Sequence, residues 1–112
     1  MNLPSNTSLP FFAYGIFKPT EISHFQIKDY VEVSSVISID GKLLVRDGLP
    51  IFDVNGQESV QGSMIYFYGD KQIEAYQRIS DMEPENHYLW AEINSGTQLI
   101  NILVGKDRKS VV

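Results

Sequence analysis

The sequence contains no cysteine, two histidines and fewer basic than acidic residues. The absence of cysteine excludes disulfides, thiolate zinc sites and cysteine nucleophiles. His24 and His87 are too few and too far apart in sequence to form a recognisable metal-binding motif, so we expect no metal. A Gly-x-Ser-x-Gly segment is also missing, which argues against the nucleophile elbow of a serine hydrolase.

Positive charge and long apolar runs are scarce as well. Nine Lys and Arg residues stand against fourteen Asp and Glu residues, which gives a net charge of −5. Nucleic acids and anionic membranes both need a positive protein surface, so neither is an expected partner. No apolar stretch approaches the ~18 residues of a membrane span, and residues 1–10 lack the basic and apolar regions of a secretory signal. We therefore expect a cytoplasmic protein.

A length of 112 residues predicts a single domain. Hydrophobic residues make up 43% of the sequence, a fraction typical of globular proteins. Proline, asparagine and serine in residues 1–10 predict a flexible lead-in. The domain is expected to span 11–104, and 105–112 are predicted to form a loose tail.

Short apolar runs separated by turn residues predict about six strands. Asp40-Gly41, Asn55-Gly56 and Ser95-Gly96 are typical hairpin turns. One clear helix is predicted between Asp70, which can act as its N-cap, and Pro84, with Ile73, Tyr76 and Ile79 on its apolar face. A second, weaker helical pattern lies near residues 21–29. These elements predict an α+β fold, a small mixed but mostly antiparallel β-barrel with one or two helices.

Gly15 ends the first apolar run, Phe11-Phe12-Ala13-Tyr14. A glycine in this position lets the following backbone N–H groups approach a ligand, where they could hold a carboxylate or an oxyanion. The simpler interpretation is a plain turn after an aromatic core residue. The dipeptide alone does not decide between the two.

Glu83 lies four residues after Ile79, on the core-facing side of the predicted helix. A carboxyl group there would be partly desolvated, which raises its pKa and makes it a usable general acid and base. Pro84 favours an extended backbone at Glu83 and so ends the helix. A solvated surface glutamate is the alternative interpretation, and Glu85 is a rival candidate for the acid/base role.

Taken in order, several segments resemble the γ-glutamylcyclotransferase-like family, also described as AIG2-like. The first strand of that family ends in a Tyr-Gly-Ser/Thr-Leu loop, and its later motifs are Gly-x-x-Pro, Val-x-Gly-x-hydrophobic-Tyr, Leu-Asp-x-x-Glu and a following Tyr. The matching residues here are Tyr14-Gly15-Ile16-Phe17, Asp47-Gly48-Leu49-Pro50, Val60-Gln61-Gly62-Ser63-Met64-Ile65-Tyr66, Ile79-Ser80-Asp81-Met82-Glu83 and Tyr88. The resemblance extends over about Phe11 to Val104.

The resemblance implies a cofactor-free enzyme that acts on a small γ-glutamyl substrate. The α-amine of the substrate attacks its own γ-carbonyl, which yields 5-oxoproline and a free amine. Glu83 is then the implied general acid/base, and the implied substrate-binding residues are Tyr14, Gly15, Ile16, Phe17 and Tyr88. A monomer and a homodimer are both compatible with the sequence.

The chain departs from the family pattern at several positions. Ile16 replaces a small hydroxyl residue, Phe17 replaces Leu, Ser80 stands where the family has Asp, and Pro84 stands where Gly is common. A non-catalytic binding or interaction domain of the same fold is therefore the main alternative. A glycosidase-type pair of Glu83 with Glu85 is a weaker one, because an extended backbone holds alternate side chains ~6–7 Å apart.

Overall fold

Five strands and one α-helix make up a computed structural model of the chain, which describes residues 2–15, 17–19, 21–83 and 87–106. Two short 3₁₀ helices precede the second strand, in the region where the weaker helical pattern was predicted. The elements in chain order are β1 (Phe11–Ala13), the 3₁₀ helices (Ile22–Gln26 and Lys28–Tyr30), β2 (Val31–Arg46), β3 (Leu49–Phe67), α1 (Gln72–Met82), β4 (Tyr88–Asn94) and β5 (Leu99–Gly105).

The strands form one mixed sheet in the order β2-β3-β1-β5-β4. β1 pairs antiparallel with β3 and parallel with β5, and the β2–β3 and β4–β5 pairs are antiparallel hairpins. The predicted α+β class with a mostly antiparallel sheet is confirmed. The predicted closure of this sheet into a barrel is not confirmed, because β2 and β4 remain edge strands in the pairing of the described residues.

The β2–β3 hairpin turns at a different place from the predicted one. Asp40-Gly41 lies inside β2, and the turn is formed by Asp47 and Gly48, whose φ angles of 53° and 79° both lie in the left-handed region. Asn55-Gly56 also lies within a strand, where a register shift leaves residues 54–57 of β3 without partners in the ladder. The two predicted turns therefore mark an irregularity along one long hairpin.

Close packing explains why glycine is required at two positions near this hairpin, Gly41 and Gly105. A Cβ atom on Gly41 would lie 2.2 Å from the ring of Phe52. A Cβ atom on Gly105 would lie 2.3 Å from the side chain of Ile51. The first residues of β3 therefore pack closely over the end of β5. This packing, together with the hydrogen bond from the Phe52 N–H to the Tyr14 hydroxyl, holds the start of β3 over the end of β1.

Helix α1 forms as its apolar pattern predicts, although its amphipathic face differs in detail. Tyr76 and Ile79 are fully buried, whereas Ile73 is 62% exposed. Asp70 is not the N-cap; the following residue takes that position and makes no side-chain capping bond. Among the described residues, no helix has both the length and the apolar character needed to cross a membrane.

The sheet carries a hydrophobic cluster on each face, as the alternation of side chains along a strand requires. Residues on the α1 side include Phe11, Phe17, Ile65, Tyr76 and Ile79, and those on the other side include Phe12, Phe52, Met64, Ile100 and Ile102. The radius of gyration, 13.4 Å, matches the ~13 Å expected of a compact domain of this length.

The segment before β1, predicted to be a flexible lead-in, is hydrogen-bonded to the domain over its described part. The Tyr76 hydroxyl donates to the carbonyl of Leu9 at 2.5 Å. Asn101, which is 1% exposed, donates its side-chain N–H to the carbonyl of Asn6 at 2.8 Å and its backbone N–H to that of Pro10 at 2.8 Å. Residues 6–10 are thereby attached to α1 and β5.

Candidate functional site

A small cavity of about 40 Å³ lies at the end of β1, beneath the β2–β3 turn. Its lining includes five of the residues predicted for the site: Tyr14, Gly15, Phe17, Glu83 and Tyr88. The predicted residue Ile16 and the rival acid Glu85 lie outside the described residues. The other lining residues are apolar and come from β1, β3 and β5: Phe11, Phe12, Ala13, Leu49, Pro50 and Leu103.

Glu83 is placed at the cavity by the end of α1. Its backbone is extended, with φ −83° and ψ 141°, and its N–H donates to the carbonyl of Ile79 at 3.1 Å. The helix therefore stops at this residue, as the following proline predicts. Glu83 is partly buried at this position and lines the cavity together with apolar residues.

Burial raises the pKa of Glu83 from 4.5 to about 7. The apolar surroundings disfavour the charged carboxylate, and no described residue forms a hydrogen bond or an ion pair with the carboxyl group that would offset this effect. A carboxyl group with this pKa exchanges its proton readily near neutral pH. It can accept and donate a proton in turn, which is the property a general acid/base needs.

Tyr14 ties three strands together at the cavity wall. Its hydroxyl donates to the carbonyl of Leu103 at 2.5 Å and accepts a hydrogen bond from the N–H of Phe52 at 3.2 Å. Burial raises the pKa of Tyr14, and the nearby charges of Tyr88 and Glu83 add to that increase. Because its single proton is already engaged, the Tyr14 hydroxyl positions the cavity wall and does not have a free donor for a ligand.

Tyr88, at the start of β4, also lines the cavity. Its hydroxyl donates to the carbonyl of Pro50 at 2.7 Å, which fastens the β2–β3 turn region to β4. Burial raises the pKa of Tyr88 to about 12, with a further contribution from the charge of Glu83. The oxygen of this hydroxyl retains a lone pair that can accept a hydrogen bond from a ligand.

Gly15 and Phe17 have different relations to the cavity. Phe17 is 2% exposed and packs edge-on against Phe11, with ring centroids 6.2 Å apart, so it belongs to the hydrophobic core. A Cβ atom on Gly15 would meet only Pro50, at 3.5 Å, which is an ordinary contact. Neither crowding nor a left-handed φ requires glycine here, and its effect is to leave the backbone beside the cavity uncovered.

Leu49, Pro50 and Leu103 line the cavity although sequence reasoning did not assign them to the site. They reach it through long-range packing of the hairpin over β5. The motif Gly-x-x-Pro was the one signal that could have pointed to Pro50. Within the described ranges, no three His, Asp or Glu side chains lie close enough together to hold a metal ion.

Comparison with known proteins finds a similar solved structure but no match to a protein-family model or to a curated protein. The crystal structure of uncharacterized protein PH0828 from Pyrococcus horikoshii is similar, with a TM-score of 0.66 and 18% sequence identity over 90% of this chain and 80% of that chain. At this identity the likeness supports the α+β fold and carries no information on activity.

Proposed function

We propose that this protein is a γ-glutamylcyclotransferase-like enzyme that converts a γ-glutamyl amide to 5-oxoproline and a free amine, with Glu83 as general acid/base. The observation that carries the proposal is the partly buried carboxyl group of Glu83 in the cavity, with its pKa raised to about 7. The resemblance of the ordered motifs to that family supplies the reaction. The proposal needs no cofactor, since both proton transfers fall to one residue.

The reaction balances without water or a redox partner. The carboxylate of Glu83 removes a proton from the α-amine of the substrate as the nitrogen attacks the γ-carbonyl carbon and the new C–N bond forms. The charge on the carbonyl oxygen would be held by backbone N–H groups beside Gly15. Protonated Glu83 then donates to the leaving nitrogen as the original C–N bond breaks, which regenerates the carboxylate.

The main competing function is a non-catalytic binding domain. A cavity of about 40 Å³ has room for a few water molecules at most, given the ~10–15 Å³ that one water needs on this measure. Phe17 fills space next to it and is itself buried. A γ-glutamyl chain would therefore have to displace the segment around Phe17, whereas a very small apolar ligand would not.

Incubation with a panel of γ-glutamyl amines and dipeptides, followed by quantification of 5-oxoproline by mass spectrometry, tests the proposal. We expect turnover by the natural protein and a loss of about 100-fold or more in kcat in Glu83→Gln, in the range seen for general acid/base residues. Glu32→Gln, which changes an exposed glutamate of β2, is the matched control. Full activity of Glu83→Gln would remove the mechanism, and no turnover across the panel would favour the binding domain.

A further inference from the structure

A second concave surface includes Lys18 and Pro19, which follow β1 in the chain. This groove, of about 320 Å³, runs between Lys18 and Pro19 of the loop and the β2–β3 face. The volume is at the lower end of the roughly 300–1,000 Å³ typical of small-molecule sites. None of the residues assigned to the cavity of Glu83 lines it.

The strand register places polar side chains together on one face of the sheet beneath this loop. Ser63 of β3 is paired with Val36 of β2 on one side and with Ala13 of β1 on the other. Ser34 and Gln61 lie two residues along their strands from these partners and therefore project from the same face. The floor is firmly packed, since the residue next to Ser63, Gly62, lies so close to β1 that a Cβ atom would be 2.6 Å from the Ala13 carbonyl oxygen.

The hydroxyl of Ser63 has no hydrogen-bond partner among the described residues, although the side chain is only 5% exposed. The hydroxyl oxygen is not one of the fully buried polar atoms of the described chain, so it opens onto the groove that Ser63 lines. It can therefore donate a hydrogen bond to a ligand in the groove. The position is unusual in this respect, as the other buried serine, Ser80, accepts a hydrogen bond from Trp90.

The charge of the groove indicates the class of ligand. Lys18 contributes the one charged group among the described lining residues and forms no ion pair with any of the residues that the structure describes. Its ammonium group, the serine hydroxyls and the Gln61 amide are all hydrogen-bond donors, and none of the described lining residues carries a carboxylate. One positive charge among neutral donors matches a single negative charge, as on a carboxylate, better than the two charges of a phosphate group.

We propose that this groove binds the carboxylate group of a small organic ligand, with Lys18 pairing its charge and the Ser63 hydroxyl donating a hydrogen bond to it. Val36 and Pro19 offer apolar contact for the remainder of the ligand. The inference is independent of the proposed catalytic role of Glu83, because the two sites share no lining residue within the described part of the chain.

Titration of the ¹⁵N-labelled full chain with N-acetylalanine, followed by NMR, tests this inference, with N-acetylalaninamide as the uncharged match. We expect saturable shifts of the Gln61, Gly62 and Ser63 amides with the carboxylate alone. Lys18→Gln should weaken binding about tenfold or more and Ser63→Ala about threefold. Lys42→Gln, an exposed lysine outside the groove, should bind normally.

Three results would overturn the inference: no saturable shift at the groove amides, equal shifts with the amide, or undiminished binding by Lys18→Gln. Lys18 and Lys42 lie outside the core, and Ser63→Ala removes one hydroxyl, so retained folding is readily checked from the spectra of the variants. Glu83→Gln should bind N-acetylalanine as the natural protein does. Loss of 5-oxoproline formation in that variant with normal groove binding would therefore separate the two sites.

Discussion

Replacing Glu83 by glutamine should stabilise the protein at alkaline pH and leave it nearly unchanged at acidic pH. The native state raises the pKa of this carboxyl group from 4.5 to about 7 because of burial. Between these two values the native state binds more protons than the unfolded chain, so the stability that Glu83 contributes falls as the pH rises through this interval. Above about pH 7 the full penalty of the buried charge is present.

The magnitude follows from the size of this pKa change. Since one pKa unit is worth about 1.4 kcal/mol, the upper limit at pH 8 is about 3 kcal/mol. Glu83 is only partly buried, and solvent screening reduces the penalty to about 1–2 kcal/mol. Glutamine keeps the shape of the side chain and removes the charge, so Glu83→Gln should gain this amount at pH 8 and less than half of it at pH 5.

Urea unfolding of both proteins at pH 5 and pH 8 measures this difference. Comparing the variant with the natural protein at each pH cancels the titration of all other groups. Glu32→Gln, in which the replaced carboxyl is exposed, should show no comparable pH-dependent gain. If the stability difference between Glu83→Gln and the natural protein were the same at both pH values, the argument from burial would be refuted.

Three further predictions test the cavity wall, the hairpin and the proposed chemistry. Tyr14→Phe removes a hydroxyl that bonds a buried carbonyl and the N–H of Phe52, and should cost about 1–3 kcal/mol in urea unfolding; unchanged stability would show that these bonds contribute little. Gly41→Ala places a Cβ atom 2.2 Å from the Phe52 ring and should cost about 1–3 kcal/mol, whereas Gly69→Ala, with open space around it, should be far milder. If Glu83 is the general base, kcat/KM for 5-oxoproline formation should rise with pH, with a midpoint near 7; a profile that is flat between pH 5 and 8 would contradict that role.

Local patterns in the sequence were sufficient for the α+β class, for helix α1 and for the β4–β5 hairpin, but not for the barrel closure that was also predicted. Of the predicted apolar face of α1, Tyr76 and Ile79 are buried as expected and Ile73 is exposed. The Ser95-Gly96 turn between β4 and β5 forms as predicted, with a φ of 102° at the glycine. Glu83 was placed in an apolar environment by its spacing from Ile79. These features depend on interactions between residues that are close in sequence.

Features set by long-range packing could not be predicted in the same way. Asp40-Gly41 and Asp47-Gly48 are equally good turn dipeptides, and the choice between them depends on contacts such as that of Gly41 with the Phe52 ring. Closure of a sheet likewise depends on whether its edge strands meet, which propensity does not encode. The groove beside Lys18 could not be predicted from local patterns, because its lining residues come from three segments that are far apart in the sequence.

The ionisation of Glu83 is the property on which the proposed chemistry rests, and NMR measures it directly. Titration of the ¹³C-labelled carboxyl carbon, assigned by its absence in Glu83→Gln, should give a midpoint near pH 7, because burial raises the pKa to about that value. A midpoint near 4.5, the ordinary value for a glutamate, would mean that the carboxyl group is solvated and cannot serve as the proton carrier of the cavity.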